Sequence, residues 1–186
     1  MDKRPLAVAV TGGIAAGKSE ALGAFARHGA ATLSADAIVH DLLTNDQDVR
    51  DAIAARWGGA AVGDRAKIAE IVFHDREELD WLERLLHPKT RAAVDAWLRK
   101  VSVPVAVVEV PLLYETGGEQ MFDAVVVITA PENVRAQRRA GIADREQRLL
   151  PDAEKVDRAD FSFVNSGSLD ALDAFAVHVL EALCSS

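Results

Sequence analysis

The sequence predicts an α/β fold of three layers, in which a central parallel sheet of about five strands lies between helices. Two observations carry this expectation. Short valine-rich runs without polar alternation recur along the chain, as strands buried on both faces require, and helical patterns separate them. The 186 residues, 49% of them hydrophobic, also suffice for one substantial core. Right-handed crossovers would then put helices on both faces and ligands at the carboxyl ends of the strands.

The elements follow in order. Leu6 to Val10 is apolar and bounded by Pro5 and Gly12-Gly13, which suits a buried strand. From Gly17 to His28 the period becomes helical, with Ala21, Leu22, Phe25 and Ala26 on one side and Gly29 at the C-cap. Ala30 to Leu33 reads as a second strand, after which Ser34 or Asp36 caps a helix through Leu43. Between Asp46 and Lys100 there is almost no strand signal and helical patterns dominate: Val49 to Trp57, Ala66 to Phe73, Glu77 to Leu86 and Thr90 to Leu98. Val103 to Val110 and Phe122 to Ile128 are strands, Asn133 to Arg139 a helix, and Phe161 to Val164 the last strand. "NSGS" makes a turn, and Leu172, Ala176, Val179, Leu180 and Leu183 keep one face of a closing helix.

A formal net charge of −8 argues against broad binding to nucleic acid or an anionic membrane, while leaving room for a small polyanion in a local basic pocket. The single Cys184 rules out an internal disulfide framework and a thiolate metal cluster. The apolar run in "MDKRPLAVAV" is too short for a membrane span, so a cytoplasmic location is expected.

Gly12, Gly17, Lys18 and Ser19 match G-x-x-x-x-G-K-[ST], with a strand before and a helix after, as a P-loop requires. Glycines let the backbone curl so that its NH groups, from Gly13 through Ile14, Ala15, Ala16 and Gly17, point at phosphates, and the helix N-terminus adds its dipole. Lys18 would reach the β and γ phosphates, and the Ser19 hydroxyl would ligate Mg2+. Glu20, where a second hydroxyl is common, suits the first helical turn as an acid. The fold class is thereby narrowed to that of the P-loop NTPases.

"TGGIAAGKS", "SADAIVHDLL", "DRAKIAEIVFHD", "LERLLHP", "VEVPLLYETG", "FDAVVVITAPE", "EKVDRADF" and "VNSGS", in order over nearly the whole chain, resemble the dephospho-coenzyme A kinase family. That resemblance implies transfer of the ATP γ phosphate to the ribose 3'-hydroxyl of dephospho-coenzyme A, the last step of coenzyme A synthesis. It implies a single kinase domain: a core of residues 1–35 and 101–186, a helical acceptor-binding insertion at about 36–100 and a short lid at about 138–151. ATP and dephospho-coenzyme A would be the partners of a monomer or weak homo-oligomer, with no nucleic acid and no membrane.

The same resemblance assigns roles. Asp36 matches the second acid of the family's D-A-D stretch and would accept the proton of the attacking hydroxyl; as an isolated residue it is also an ordinary N-cap. Ser34 replaces the first acid, and His40 stands where some members carry Arg. Thr11, His40, Arg65 and His87 would meet the acceptor, although Arg65 could simply begin a helix and His87-Pro88 could mark a helix end. In "VEVPLLYE", Glu109 is either a Walker B acid near magnesium or a polar strand residue, and Glu115 with the backbone of Leu112 and Leu113 would shape the acceptor pocket.

Five arginines lie between Arg135 and Arg148, in the region of the lid. An arginine brought by a closing lid stabilises charge on the transferring phosphoryl group; Arg138 or Arg139 is first in line, then Arg145 or Arg148. The lid is shorter than the family's usual one, and the family's R-x-x-x-R spacing does not align cleanly with these arginines. Asn165 to Gly167 either packs on adenine or forms a plain turn. A kinase for another small acceptor is the competing enzyme, and a GTP-dependent switch is disfavoured because no N-K-x-D stretch exists. A binding module without catalysis would lack Lys18 or Asp36, and both are present.

Overall fold

The computed structural model describes residues 4–138 and 150–185. It divides into two compact units, one of Met1–Ser34 with Leu98–Ser186 and the other of Ala35–Trp97.

The first unit holds the sheet. Its strands are β1 (Leu6–Gly12), β2 (Ala31–Ser34), β3 (Val105–Glu109), β4 (Ala124–Thr129) and β5 (Phe161–Val164), all parallel in the order β2-β3-β1-β4-β5. β1 is the centre, and Ala7 to Val10 have no exposed surface, which explains their uninterrupted apolar character. The strand continues two residues beyond Val10 because pairing with β4 runs on to Gly12 opposite Ile128. β3 is shorter than its valine run, beginning at Val105.

Strand alternation divides the core. Val8, Val10, Val126 and Ile128 face α1 (Lys18–Arg27) and α8 (Leu169–Cys184), meeting Ala21, Phe25, Leu172 and Val179. Ala9, Val125 and Val127 face the other way, onto Leu113, Tyr114 and Val156 of the short helix α7 (Asp152–Asp157). α1 closes where expected: Ala30 N bonds Phe25 O at 3.1 Å and Gly29 takes φ 91°, a left-handed terminus that glycine adopts without strain. The connection leaving β1 runs to one side of the sheet and that leaving β4 to the other. A topological switch point therefore lies between their carboxyl ends, where such sheets bind ligands.

The second unit is helical: α2 (Ala35–Asn45), α3 (Gln47–Trp57), α4 (Arg65–His74) and α5 (Arg76–Leu98), of which residues to Trp97 belong to it. Leu43, Val49, Ile53, Ile68, Leu82 and Leu86 form its core. Asp46 caps α3, accepting from Val49 N at 2.9 Å, and Lys89 of α5 holds both of its oxygens at 3.0 Å. Asp64 caps α4 through Lys67 N.

Two helix assignments differ from expectation. His87-Pro88 does not end a helix; α5 runs through it for 23 residues. Pro88 removes one amide donor, but Leu82 and Leu86 before it and Val94 after it are buried on one face, so packing on both sides holds the axis. Asp36 is likewise no N-cap. α2 begins at Ala35, which puts Asp36 inside the first turn. Among the described residues, no helix is long and apolar enough to cross a membrane.

Candidate active site

At the carboxyl end of β1 the chain turns under tight steric control. A side-chain carbon on Gly12 would lie 1.9 Å from the Ile128 carbonyl oxygen, so only glycine fits between the paired strands. Two residues that follow take left-handed backbone, Ala15 at φ 59° and Gly17 at φ 94°. For an alanine that conformation costs on the order of 1 kcal/mol, which the surrounding contacts must hold in place.

Gly17 is the N-cap of α1 and, having no side chain, leaves the first-turn amides without a side-chain cap. Those amides and the helix dipole suit an anion. Lys18, the first helical residue, turns its ammonium back over the loop, donating to Gly13 O at 2.9 Å and Gly12 O at 3.3 Å. The Ser19 hydroxyl donates to both carboxylate oxygens of Glu109, at 3.2 and 3.3 Å. Glu109 is the last residue of β3 and only 7% exposed. A cavity of about 340 Å³ opens here, lined by Ile14, Ala15, Gly17, Lys18, Ser19, Glu20, Glu109 and Arg138.

The loop is braced from three directions. Arg138, at the end of α6 (Glu132–Arg138), donates to Ala15 O at 3.3 Å and lies 3.6 Å from the Glu20 carboxylate. Asn165, just after β5, donates to Ala16 O at 3.0 Å and to Glu20 at 3.3 Å. Gly167 N donates to the Asn165 side-chain oxygen, and Gly167 itself sits at φ 105°. Arg135 and Asp152 form an ion pair of 3.3 Å, and both groups come within about 3.0 Å of where a side-chain carbon on Gly13 would lie.

The expected phosphate-loop residues, Gly13, Ile14, Ala15, Ala16, Gly17, Lys18, Ser19 and Glu20, thus meet Arg138 and Asn165 in one place. Glu20 is a first-turn acid, as expected, and also a partner of both. Arg139, Arg145 and Arg148, with most of the expected lid, lie outside the described residues.

Three residues expected at the acceptor have partners within the protein. Thr11 has no exposed surface, and its hydroxyl donates to Pro111 O at 3.3 Å, fixing the turn after β3. Leu113 is also fully buried, its side chain in the core and its carbonyl taken by Gly118 N at 2.9 Å. Glu115 accepts from Leu150 N at 3.0 Å and pairs at 2.8 Å with Lys155, which has no exposed surface. Each is held by partners within the first unit, and Leu112 alone of this group is exposed.

In the helical unit, Asp36 and His40 are exposed and lie one turn apart on α2. Arg65 is exposed at the start of α4, and His87 is half-buried within α5.

Glu109 is weighted more heavily by the structure than by its letters. Its only signal was its position at a strand's carboxyl end, whereas its contact with Ser19 joins residues 90 apart. The Arg135–Asp152 brace had no local signal, because it joins the two sides of the arginine-rich segment.

Comparison with known proteins agrees with this geometry. The family model for dephospho-CoA kinase matches residues 6–171. A dephospho-CoA kinase of Rhodopseudomonas palustris (strain BisB18) is 38% identical over 187 residues, covering 93% of each chain. A crystal structure from Thermus thermophilus superposes with a TM-score of 0.84 at 28% identity, over 97% of this chain and 98% of that one. The dephospho-CoA kinase from Campylobacter jejuni gives 0.66 at 25%, over 97% and 98%. With a sheet-borne phosphate loop and a family match over most of its length, the chain belongs to the dephospho-CoA kinases, an ATP-dependent family of phosphotransferases.

Proposed function

We propose that this chain phosphorylates the ribose 3'-hydroxyl of dephospho-coenzyme A with the following division of labour. The loop amides from Gly13 to Ser19 hold the ATP phosphates, and Lys18 neutralises the β and γ groups. Ser19 and Glu109 would hold Mg2+: they offer oxygen donors only, one hydroxyl and one carboxylate, which is the kind of set magnesium takes when phosphates complete its shell. Magnesium bound there would neutralise charge on the phosphates and orient them.

Asp36 accepts the proton of the 3'-hydroxyl as that oxygen attacks the γ phosphorus in line. The new O–P bond forms, the bond to the β,γ-bridging oxygen breaks, and ADP leaves with the electron pair. Exposure of Asp36 in the first turn of α2, rather than use as a cap, supports this role. Arg138 stabilises the spreading charge, and Arg139 is its alternate. His40, Arg65, His87 and Leu112 contact the acceptor. Enzyme and substrates meet in the cytoplasm.

The observation that carries the reading is the Ser19–Glu109 contact beside Lys18, which gathers an ammonium, a hydroxyl and a carboxylate at one end of the sheet. The test is to incubate the pure protein with Mg-ATP and dephospho-coenzyme A and locate any added phosphate by mass spectrometry after fragmentation. Phosphate on the 3' oxygen is expected. No product, alongside turnover of another hydroxyl compound, would overturn the acceptor.

A further inference from the structure

Asn165 is 1% exposed and every polar atom of its side chain is used. Its Oδ1 accepts from Gly167 N at 3.0 Å, so the amide can face the phosphate loop only with its nitrogen. That nitrogen donates to Ala16 O at 3.0 Å. The backbone of Asn165 is itself tied to the sheet, its N donating to Thr129 O at 2.7 Å. The loop carbonyl is therefore bonded to a group that cannot shift without breaking strand-end contacts.

Ala16 lies between two left-handed residues, Ala15 and Gly17. In a trans peptide, C=O and N–H point in opposite directions, so holding the Ala16 carbonyl towards Asn165 turns the Gly17 N–H away from it. Gly17 and Lys18 line the cavity, and Asn165 is not among its lining residues. The approach is close: a side-chain carbon on Gly17 would fall 2.2 Å from the Asn165 nitrogen. Glu20 is drawn to the same nitrogen at 3.3 Å.

We propose that Asn165 is a positioning residue that sets the Ala16–Gly17 peptide plane, and through it the aim of the loop amides at phosphate, without touching the adenine. This rests on the reading that the loop holds the phosphates of ATP. An adenine contact predicts a different energetic signature: it depends on the base, whereas a loop-shaping residue acts on any ligand that brings the phosphates.

The test compares wild type with Asn165→Asp and Asn165→Ala, measuring the binding of ATP and of inorganic tripolyphosphate as competitors of a fluorescent ATP analogue. Both variants should lose about tenfold in affinity, the usual scale for one hydrogen bond to a constrained carbonyl, and by the same factor for the two ligands. The KM for dephospho-coenzyme A should move less than about twofold. For Asn165→Asp the deficit should shrink as pH is lowered towards about 5, because a protonated carboxyl regains a donor for Ala16 O; Asn165→Ala should show no such recovery. Weakened ATP binding with unchanged tripolyphosphate binding would overturn the proposal in favour of a base contact. Unchanged binding of both would overturn it outright. Equal losses with a collapsed melting transition in both variants would reduce Asn165 to a fold residue. Failure of the wild type to bind ATP would instead refute the phosphate-loop reading itself.

Discussion

The hydroxyl of Ser19 donates to the carboxylate of Glu109 across the gap between the first turn of α1 and the end of β3, at 3.2 Å to the nearer oxygen. Glu109 is nearly buried, and its strand has parallel partners on both sides, so the carboxylate cannot drift from the loop. Replacing Glu109 by Gln preserves the volume and an oxygen for the hydroxyl but removes the charge. The magnesium concentration for half-maximal activity should then rise by about tenfold, the scale found when a partner of a metal site is lost. A magnesium titration at saturating ATP measures it. An unchanged curve would make Glu109 a strand residue whose contact with Ser19 is structural only.

Asp36 is predicted to act on the acceptor alone. Asp36→Asn should lower kcat by about a hundredfold or more, the range for loss of a positioned base, while ATP binds as before. Turnover and equilibrium nucleotide binding, measured on the same preparation, separate the two effects. If ATP binding fell with activity, Asp36 would instead be holding the start of α2.

What could be read in the sequence depended on how local its cause was. The buried parallel strands were legible because burial on both faces leaves no polar alternation, and Ala106 to Val108 and Val125 to Ile128 are solid apolar runs. The phosphate loop was legible because its glycines meet backbone constraints that few other residues satisfy, as the close approach of Gly12 to Ile128 demonstrates. The internal contacts of Thr11, Leu113 and Glu115 were not legible, because their partners, Pro111, Gly118, Leu150 and Lys155, are set by packing rather than by the letters beside them. Pro88 was misread for the same reason: a proline argues for a helix end, and tertiary burial overrode it.

The Glu115–Lys155 pair gives a stability prediction. Lys155 has no exposed surface, so removing Glu115 would leave an uncompensated buried ammonium. Glu115→Ala should cost about 3 kcal/mol, which for a chain of this size lowers the melting temperature by roughly 6–12 °C. Joining it with Lys155→Met should recover most of that loss, since an apolar pair carries no desolvation penalty. Thermal melts of the two single variants and the double variant measure the coupling. Simple additivity would show that the two groups do not interact energetically.

All three tryptophans, Trp57, Trp81 and Trp97, belong to the helical unit, so tryptophan fluorescence, excited apart from Tyr114, reports on that unit. Its two staples are charged. The Val49 amide, and then Lys89, hold the Asp46 carboxyl below its ordinary 3.8, while Arg56, and then Trp57, hold Glu78 below its ordinary 4.5. A carboxylate whose pKa is depressed on folding contributes stability in full above its unfolded value and loses it as pH falls through the folded one. The complementary cations Lys89 and Arg56 are both raised, chiefly by their hydrogen bonds to Asp46 and Glu78, so their contribution persists until strongly alkaline pH. The urea midpoint followed by tryptophan fluorescence should therefore stay level from neutral pH down to about 5 and decline below 4.5, the ordinary Glu78 value. Asp46→Asn keeps an oxygen for the Val49 amide but gives up the charge. It should lower the midpoint at neutral pH and flatten part of the acid decline; an equally steep decline in that variant would assign the titration to Glu78 alone.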